Sequence, residues 1–260
     1  MRTLVPVSGG LDSTYVLWKL LTTTTDEITA VHLDIRYLEN ECGVGHPPIA
    51  PYAENSTNDV VQWLKANTRS FAFETVNCYE FGADETVEVW LVRNYIASKL
   101  NSGEADQVVF GLGQIPYATR VIQGRSSDLM KLPTTAHATY RAFKDVVSRG
   151  KCVMYYDKNG IGRGEAMAEL PSALFSLTLS CTKPNFISDG STTNCGKCTK
   201  CIDNQFVRSK LDSGMSAAQT TVERNADSKN ASTGNYRLKF LTTGGIWAHI
   251  SSTDPEPTFD

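Results

Sequence analysis

The stretch Leu4-Val5-Pro6-Val7-Ser8-Gly9-Gly10-Leu11-Asp12-Ser13 stands near the start of the chain and decides its fold. An apolar run comes first, small residues follow, and the next turns place apolar side chains near one helical face: Tyr15, Leu17, Trp18 and Leu21. A strand, a glycine turn and a helix in this order make a phosphate cradle, because glycines let the backbone approach an anion and the first helical N–H groups point at it. We therefore expect a strand over residues 3–7, a helix over 12–21, and an anion site between them.

Polar side chains of this turn suit the same purpose. Ser8 and Ser13 supply hydroxyl donors, and Asp12 stands by the positive end of the helix, where it can help hold a magnesium ion. Paired glycines beside Ser and Asp also occur in ordinary turns and caps. The whole hexapeptide directly after the first strand is more specific, and it matches neither the Walker pattern nor Gly-x-Gly-x-x-Gly.

Strand and helix patterns alternate through the first half of the chain. Strands are expected over 28–33, 71–76 and 107–111, and helices over 53–66 and 86–100. Such alternation predicts an α/β fold with a Rossmann-like parallel sheet and helices on both faces. Ligands of these sheets bind beyond the carboxyl ends of the strands. Ser8, Asp34 and the segment after Gly111 all stand at such ends.

The second half has a looser pattern. We expect a helix over 134–149, a strand over 151–156, an apolar helix over 165–179 broken at Pro171, and a strand pair over 236–241 and 246–250. The predicted division is an α/β domain over 1–125 and a helical, metal-binding region with an extended tail over 126–260.

Composition limits the classes of protein that remain. The 260 residues are 41% hydrophobic, which suits one α/β domain with an appendage. Twenty-five basic and 28 acidic residues give a net charge of −3, without a basic block, which argues against a nucleic acid as direct substrate. No apolar stretch approaches membrane-spanning length, and the first strand begins at once, so we expect no membrane partner, no signal peptide and a cytoplasmic protein.

Four of the seven cysteines form the cysteine cluster: Cys181, Cys195, Cys198 and Cys201. Clustered cysteines without a secretion signal indicate a metal site rather than disulfides. Four thiolates fill a tetrahedral zinc shell and leave no position for water, which predicts a structural zinc in a small C-terminal subdomain. An iron–sulfur cluster, which also takes four cysteines, stays open as the alternative.

The segment from Ser8 to Ser13 resembles the pyrophosphate loop of the N-type ATP pyrophosphatases, which have the adenine nucleotide alpha hydrolase-like fold. The resemblance implies that ATP is cleaved between its α- and β-phosphates, with AMP and pyrophosphate released. It implies catalytic roles for Asp12 and Ser13, and magnesium-bound ATP held by Val7, Ser8, Gly9, Gly10, Leu11, Asp12, Ser13 and Asp34.

The loop and the cysteine cluster together resemble the 7-cyano-7-deazaguanine synthase family of the queuosine pathway. Val92-Arg93-Asn94-Tyr95 and Thr178-Leu179-Ser180-Cys181 are similar to two further segments of that family. The resemblance implies a ligase that forms C–N bonds, converting 7-carboxy-7-deazaguanine and ammonia to the nitrile preQ0 through adenylylated intermediates. It implies a homodimer, a catalytic Arg93, and substrate contacts from Arg93, Asn94, Tyr117 and Arg120.

The segment from Gly111 to Arg120 departs from that family's pattern, because the expected acidic residues are missing. An enzyme that stops at the amide, or couples the activated deazapurine to another amine, therefore stays open, as does a divergent copy that serves DNA modification. A tRNA-modifying ATPase of the same superfamily is a third possibility, disfavoured by the acidic balance and the lack of spare thiols. The last is a zinc-bearing interaction protein with a decayed loop, disfavoured by the intact loop.

Overall fold

A computed structural model describes residues 1–35, 50–78, 94–111, 149–155, 163–181, 185–186, 192–196, 199–217, 219–220, 237–241 and 247–251. The first part of the chain forms these elements: β1 (Arg2–Pro6), α1 (Leu11–Thr23), β2 (Glu27–Ile35), α2 (Ala50–Asn67), β3 (Ala72–Cys78), α3 (94–101), β4 (Gln107–Phe110) and β5 (Lys151–Met154). The later part forms α4 (Arg163–Glu169), α5 (Ser172–Ser176), β6 (Asn185–Phe186), β7 (Thr192–Thr193), α6 (Thr199–Asp212), β8 (Arg237–Leu241) and β9 (Trp247–Ser251).

Five parallel strands make the main sheet, in the order β3-β2-β1-β4-β5. The chain runs outward from β1 through β2 to β3, and then crosses to the other side of β1 to begin β4. The carboxyl ends of β1 and β4 therefore flank the point where the strand order reverses. Ligands of open parallel sheets bind in the crevice at such a point.

Alternate side chains of each strand enter two different cores. Val5 and Ala30 pack with α1 and α2, whereas their neighbours Leu4 and Val31 pack with α3 on the opposite face. The period of two along each strand produces this division. Apolar residues on both faces require helices on both faces, so the predicted α/β architecture is confirmed.

The later helices pack on the same core as α1. Met167 of α4, Leu174 of α5 and Val207 of α6 are buried among the side chains of α1 and the sheet. Fully burying a side chain of this kind contributes roughly 1.5–3 kcal/mol. The helices that carry and surround the cysteine cluster are therefore held against the sheet by apolar contact.

Most predicted elements are present with shifted ends, and the break at Pro171 separates α4 from α5. Three predictions lie outside the described residues: all but the last residue of the helix expected over 134–149, the first part of that expected over 86–100, and the domain division at residue 125. Helix α6 was not expected. It begins inside the cysteine cluster because Phe206, Val207 and Leu211 stand at helical spacing and pack on the core.

The strand predicted over 151–156 is β5, and it pairs with β4 although it belongs to the predicted C-terminal region. The predicted strand pair near the C-terminus is present as β8 and β9, which pair antiparallel. Within the described part of the chain, none of the helices combines the length and apolar character needed to cross a bilayer.

Candidate functional site

Residues 8–10, which we call the glycine turn, connect β1 to α1 at the point where the strand order reverses. Gly9 has φ 68°, a backbone conformation that disfavours side chains. A Cβ on Gly9 would lie 2.8 Å from both Ser56 Oγ and the Thr57 backbone nitrogen. The Ser56 hydroxyl also lies 3.1 Å from the Gly9 carbonyl, to which it can donate. The turn therefore needs glycine at position 9 because it packs directly on α2.

The two predicted hydroxyl groups of the turn meet each other. Ser8 donates its backbone N–H to Ser13 Oγ at 3.2 Å, and the two hydroxyl oxygens lie 3.3 Å apart. This folds the turn over the first residues of α1. The arrangement can present hydroxyl and N–H donors to one anion.

Asp12 lies in the first turn of α1 and forms an ion pair with Arg163 of α4. The Arg163 Nη1 to Asp12 Oδ2 distance is 3.1 Å, and Arg163 Nε donates to Asn204 Oδ1 of α6 at 3.0 Å. The arginine is buried, with 7% of its surface exposed. Sequence reasoning missed Arg163. Its one signal was its position just before the helix expected from residue 165, where the macrodipole opposes a cation that lacks an acidic partner.

Two more residues at the carboxyl ends of strands border this region. Asp34, near the end of β2, is only 3% exposed. Gly111 directly follows β4, and a Cβ there would lie 2.6 Å from the Asp12 carbonyl oxygen and 2.7 Å from Ser13 Cα. The backbone after β4 therefore lies directly against the first turn of α1. The predicted convergence of Ser8, Asp34 and the segment after Gly111 stays a prediction, because that segment lies outside the described residues.

His32 is a buried neighbour that the sequence analysis did not single out. Its Nδ1 lies 2.9 Å from the Val7 carbonyl oxygen and 3.4 Å from Thr57 Oγ1. The ring thereby ties the end of β1 to α2, which carries Ser56 on the other side of Gly9. The backbone N–H of Val7 donates to Val31 of β2 at 2.8 Å, so the strand continues to the edge of the turn.

Three sulfur atoms of the cysteine cluster come together. Those of Cys181, Cys195 and Cys201 lie within 4.8 Å of one another, and Cys195 Sγ and Cys201 Sγ are 4.0 Å apart. Thiolates that share one tetrahedral zinc lie roughly 3.8 Å apart, given Zn–S bonds of about 2.3 Å. The Cys195 N–H donates to Cys181 Sγ at 3.3 Å, so the backbone also joins these two residues. These residues fit a metal ion; the fourth, Cys198, lies outside the described residues.

The cysteine cluster and the turn are adjacent through residues 179–181. Leu179 donates its N–H to the Gly9 carbonyl oxygen at 2.9 Å, and Leu11 donates its N–H to Ser180 Oγ at 2.9 Å. Cys181 is the next residue. The sequence placed these two motifs about 170 positions apart, and no local pattern could show that they touch.

The predicted substrate residues are less well placed. Arg93, Tyr117 and Arg120 lie outside the described residues. Asn94 is the first described residue of α3 and is exposed. Its predicted contact with a substrate remains a prediction, as do the predicted roles of the residues in the turn.

A buried phenol anchors α1 to α4 beside this site. Tyr15 donates its hydroxyl to Glu169 Oε2 at 2.9 Å, and Lys19 Nζ lies 2.6 Å from the same oxygen. Burial and the hydrogen bond with Glu169 raise the pKa of Tyr15 above its ordinary value. The hydrogen bond from Lys19 lowers the pKa of Glu169. The last residue of α4 is thereby joined to α1, at the opposite end of this helix from Arg163.

No family model matches the chain, and no curated protein matches it. The solved structures that are similar to this chain include two of low identity. One is a universal stress protein family member from Burkholderia pseudomallei, with 10% identity and TM-score 0.33, covering 59% of this chain and 94% of that one. The other is the U34-tRNA thiolase NcsA from Methanococcus maripaludis with its [4Fe-4S] cluster, with 13% identity and TM-score 0.38, covering 87% of this chain and 71% of that one. The fold of this chain is defined by its own five-stranded parallel sheet.

Proposed function

We propose that this chain is an enzyme that binds ATP at residues 8–13 and cleaves it between the α- and β-phosphates. The observation that supports this most is the position of the glycine turn. It follows the central strand at the reversal point of a parallel sheet, has Gly9 at positive φ, and opens α1, whose N-terminus can attract an anion.

In the proposed reaction, an oxygen of an acid substrate attacks the α-phosphorus and pyrophosphate leaves. Ser8, Ser13 and the first turn of α1 hold the pyrophosphate and stabilise the charge that grows on it. Arg163 forms an ion pair with Asp12 and so fixes this carboxylate at the first turn of α1. Magnesium, when bound with ATP, would neutralise further charge there, and Asp12 is the residue that would hold it.

We propose that the acid is 7-carboxy-7-deazaguanine, because the glycine turn and the cysteine cluster occur together in this chain. Ammonia then attacks the acyl carbon, AMP leaves with one oxygen, and an amide remains. A second ATP adenylylates the amide oxygen, and departure of AMP with loss of protons yields the nitrile. Arg93, Asn94, Tyr117 and Arg120 are the proposed substrate contacts, and the bidentate geometry of arginine suits a carboxylate.

The proposed metal is a structural zinc held by the cysteine cluster. The 4.0 Å separation of Cys195 Sγ and Cys201 Sγ supports one shared ion. In a cubane iron–sulfur cluster each thiolate binds a different iron, which needs wider spacing. Metal analysis and absorption spectra of the purified protein distinguish zinc from iron with sulfide.

The test is incubation of the zinc-loaded protein with ATP, magnesium, ammonia and 7-carboxy-7-deazaguanine, with products resolved by mass. AMP with the nitrile supports the proposal in full. AMP with the amide supports the ligase that stops one step earlier. AMP formed only when tRNA replaces the deazapurine favours the tRNA-modifying enzyme. ATP left intact under all these conditions would overturn the assignment.

Variants of the turn make the assay specific. Asp12→Asn keeps the shape of the side chain that faces Arg163, and Ser13→Ala removes one hydroxyl. Each should slow AMP formation roughly 10²-fold or more, as loss of a preorganised group for a developing charge does. Asp59→Asn, an exposed change on α2, is the matched control and should retain the wild-type rate.

A further inference from the structure

Two separate chains of contacts connect the cysteine cluster to the glycine turn. One passes through the residue before Cys181, and the other through a residue one helical turn after Cys201. Both end on the first turn of α1, which the proposed function assigns to the phosphates of ATP.

The first connection is made by Ser180. Its hydroxyl oxygen accepts the Leu11 N–H at 2.9 Å, and the Leu179 N–H donates to Gly9 at 2.9 Å. Ser180 and Cys181 are only 8% and 6% exposed. Because the two residues are consecutive, a ligand that immobilises the Cys181 sulfur also limits where the Ser180 hydroxyl can lie.

The second connection is made by Asn204 and Arg163. Asn204 follows Cys201 by three positions on α6, so both side chains share one side of the helix. Asn204 accepts from Arg163 Nε at 3.0 Å, and Arg163 Nη1 reaches Asp12 at 3.1 Å. Arg163 and Cys201 are 7% and 4% exposed. One planar guanidinium thus uses two of its edges to join α6 to α1.

We propose that Ser180, Arg163 and Asn204 are positioning residues that couple metal binding at the cysteine cluster to nucleotide binding at the glycine turn. With the metal bound, both connections are ordered and the first turn of α1 is ready for ATP. Without the metal, the sulfur atoms separate, and Ser180 and Asn204 lose their fixed positions. Part of the binding free energy of ATP is then used to order the turn, so ATP binds more weakly. The proposal rests on the proposed function, since it requires ATP at this turn.

The coupling is reciprocal. If zinc tightens ATP binding by some factor, ATP must tighten zinc binding by the same factor. Coupling between protein sites is typically about 5–150-fold. We expect about tenfold here, because each connection depends on one or two hydrogen bonds.

The experiment measures the dissociation constant of an ATP analogue with a methylene group between the α- and β-phosphorus atoms. It is measured for zinc-loaded and chelator-treated full-length protein, and zinc affinity is measured with and without the analogue. The wild type should bind the analogue about tenfold more tightly with zinc, and zinc more tightly by the same factor with the analogue.

The double variant Ser180→Ala/Asn204→Ala separates coupling from a purely structural effect of zinc. It keeps all four cysteines, so its zinc stoichiometry should equal the wild-type value. Its analogue affinity should fall to the zinc-free wild-type value and no longer respond to zinc. Asn204→Asp keeps an acceptor for Arg163. It should therefore retain the part of the zinc-dependent increase in analogue affinity that depends on the contact between residue 204 and Arg163. Ser176→Ala/Asn67→Ala changes the same residue types at exposed positions and serves as the control.

Two results would overturn the inference. One is an analogue affinity in the wild type that is equal with and without zinc, which would leave the proposed function standing. The other is a zinc response of wild-type size in the double variant. Failure of every form to bind the analogue would instead overturn the proposed function, and the inference with it.

Discussion

Gly111 illustrates how one residue limits the distance between two elements. The absence of a side chain lets the end of β4 approach the first turn of α1, where a Cβ would lie 2.6 Å from the Asp12 carbonyl oxygen. Backbone atoms cannot rotate away as a side chain can, so Gly111→Ala must push β4 and α1 apart. We expect a loss of about 1–3 kcal/mol in the free energy of unfolding, measured by urea denaturation.

The control for this prediction is Gly214→Ala. That glycine has φ 86°, but a Cβ there meets no atom within 4 Å. The free energy of unfolding of Gly214→Ala should fall only by the cost of backbone strain, about 1–2 kcal/mol. Its affinity for the ATP analogue should be unchanged. If Gly111→Ala bound the ATP analogue as tightly as the wild type, this result would contradict the close placement of β4 and the glycine turn.

Tyr15 offers a second prediction at this scale. Tyr15→Phe removes the hydroxyl that donates to Glu169 and should cost about 1 kcal/mol near neutral pH. The raised pKa of Tyr15 means that the folded protein favours the neutral phenol. That stabilisation is present below the unfolded pKa of about 10 and is lost as the pH rises above it. Urea denaturation should show the two proteins converging in stability above about pH 10; a constant difference would contradict the assignment.

At the scale of elements, the junction of β1 and β4 depends on Asp106. Its carboxylate accepts the Arg2 backbone N–H at 2.9 Å and the Arg2 guanidinium at 2.7 Å, and the hydrogen bonds from Arg2 lower its pKa to about 2. A carboxylate whose pKa is lowered in the folded state stabilises the protein at pH values above its unfolded pKa. This stabilisation is lost as the pH falls towards the folded pKa.

We expect wild-type stability to decline between about pH 4 and pH 2 more steeply than that of Asp106→Asn. Urea denaturation across this interval measures the two slopes. Asp59→Asn removes one negative charge from the exposed face of α2 and should keep the wild-type slope. Parallel slopes for wild type and Asp106→Asn would show that the pair with Arg2 does not form in solution.

Element boundaries were predictable where local chemistry decides them. Apolar periodicity predicted a helix over 12–21 and a strand over 28–33, which the structure has as Leu11–Thr23 and Glu27–Ile35. Helix α6 was missed because the closely spaced cysteines favoured a turn around a metal. Its apolar positions gain their meaning only from the sheet on which Val207 packs.

At the scale of the whole molecule, the connections between the cysteine cluster and the glycine turn predict where metal removal acts. Chelation should raise hydrogen exchange in residues 8–13, 179–181 and 199–204, because these segments contain the residues of the two connections. Exchange in β1, β2 and β4 should stay slow, because their core contacts do not involve the cysteines. Exchange spread evenly over the sheet would instead indicate that zinc stabilises the entire fold.

Periodicity and close spacing of residues predicted the order of strand, glycine turn and helix, the parallel sheet, and the cysteine cluster. The contacts of Leu11 with Ser180 and of Asp12 with Arg163, across 169 and 151 positions of chain, could be found only in the folded molecule. Single hydrogen bonds between distant residues leave no repeating pattern in a sequence. They form because apolar burial of α4, α5 and α6 on the core of α1 brings the cysteines to the turn.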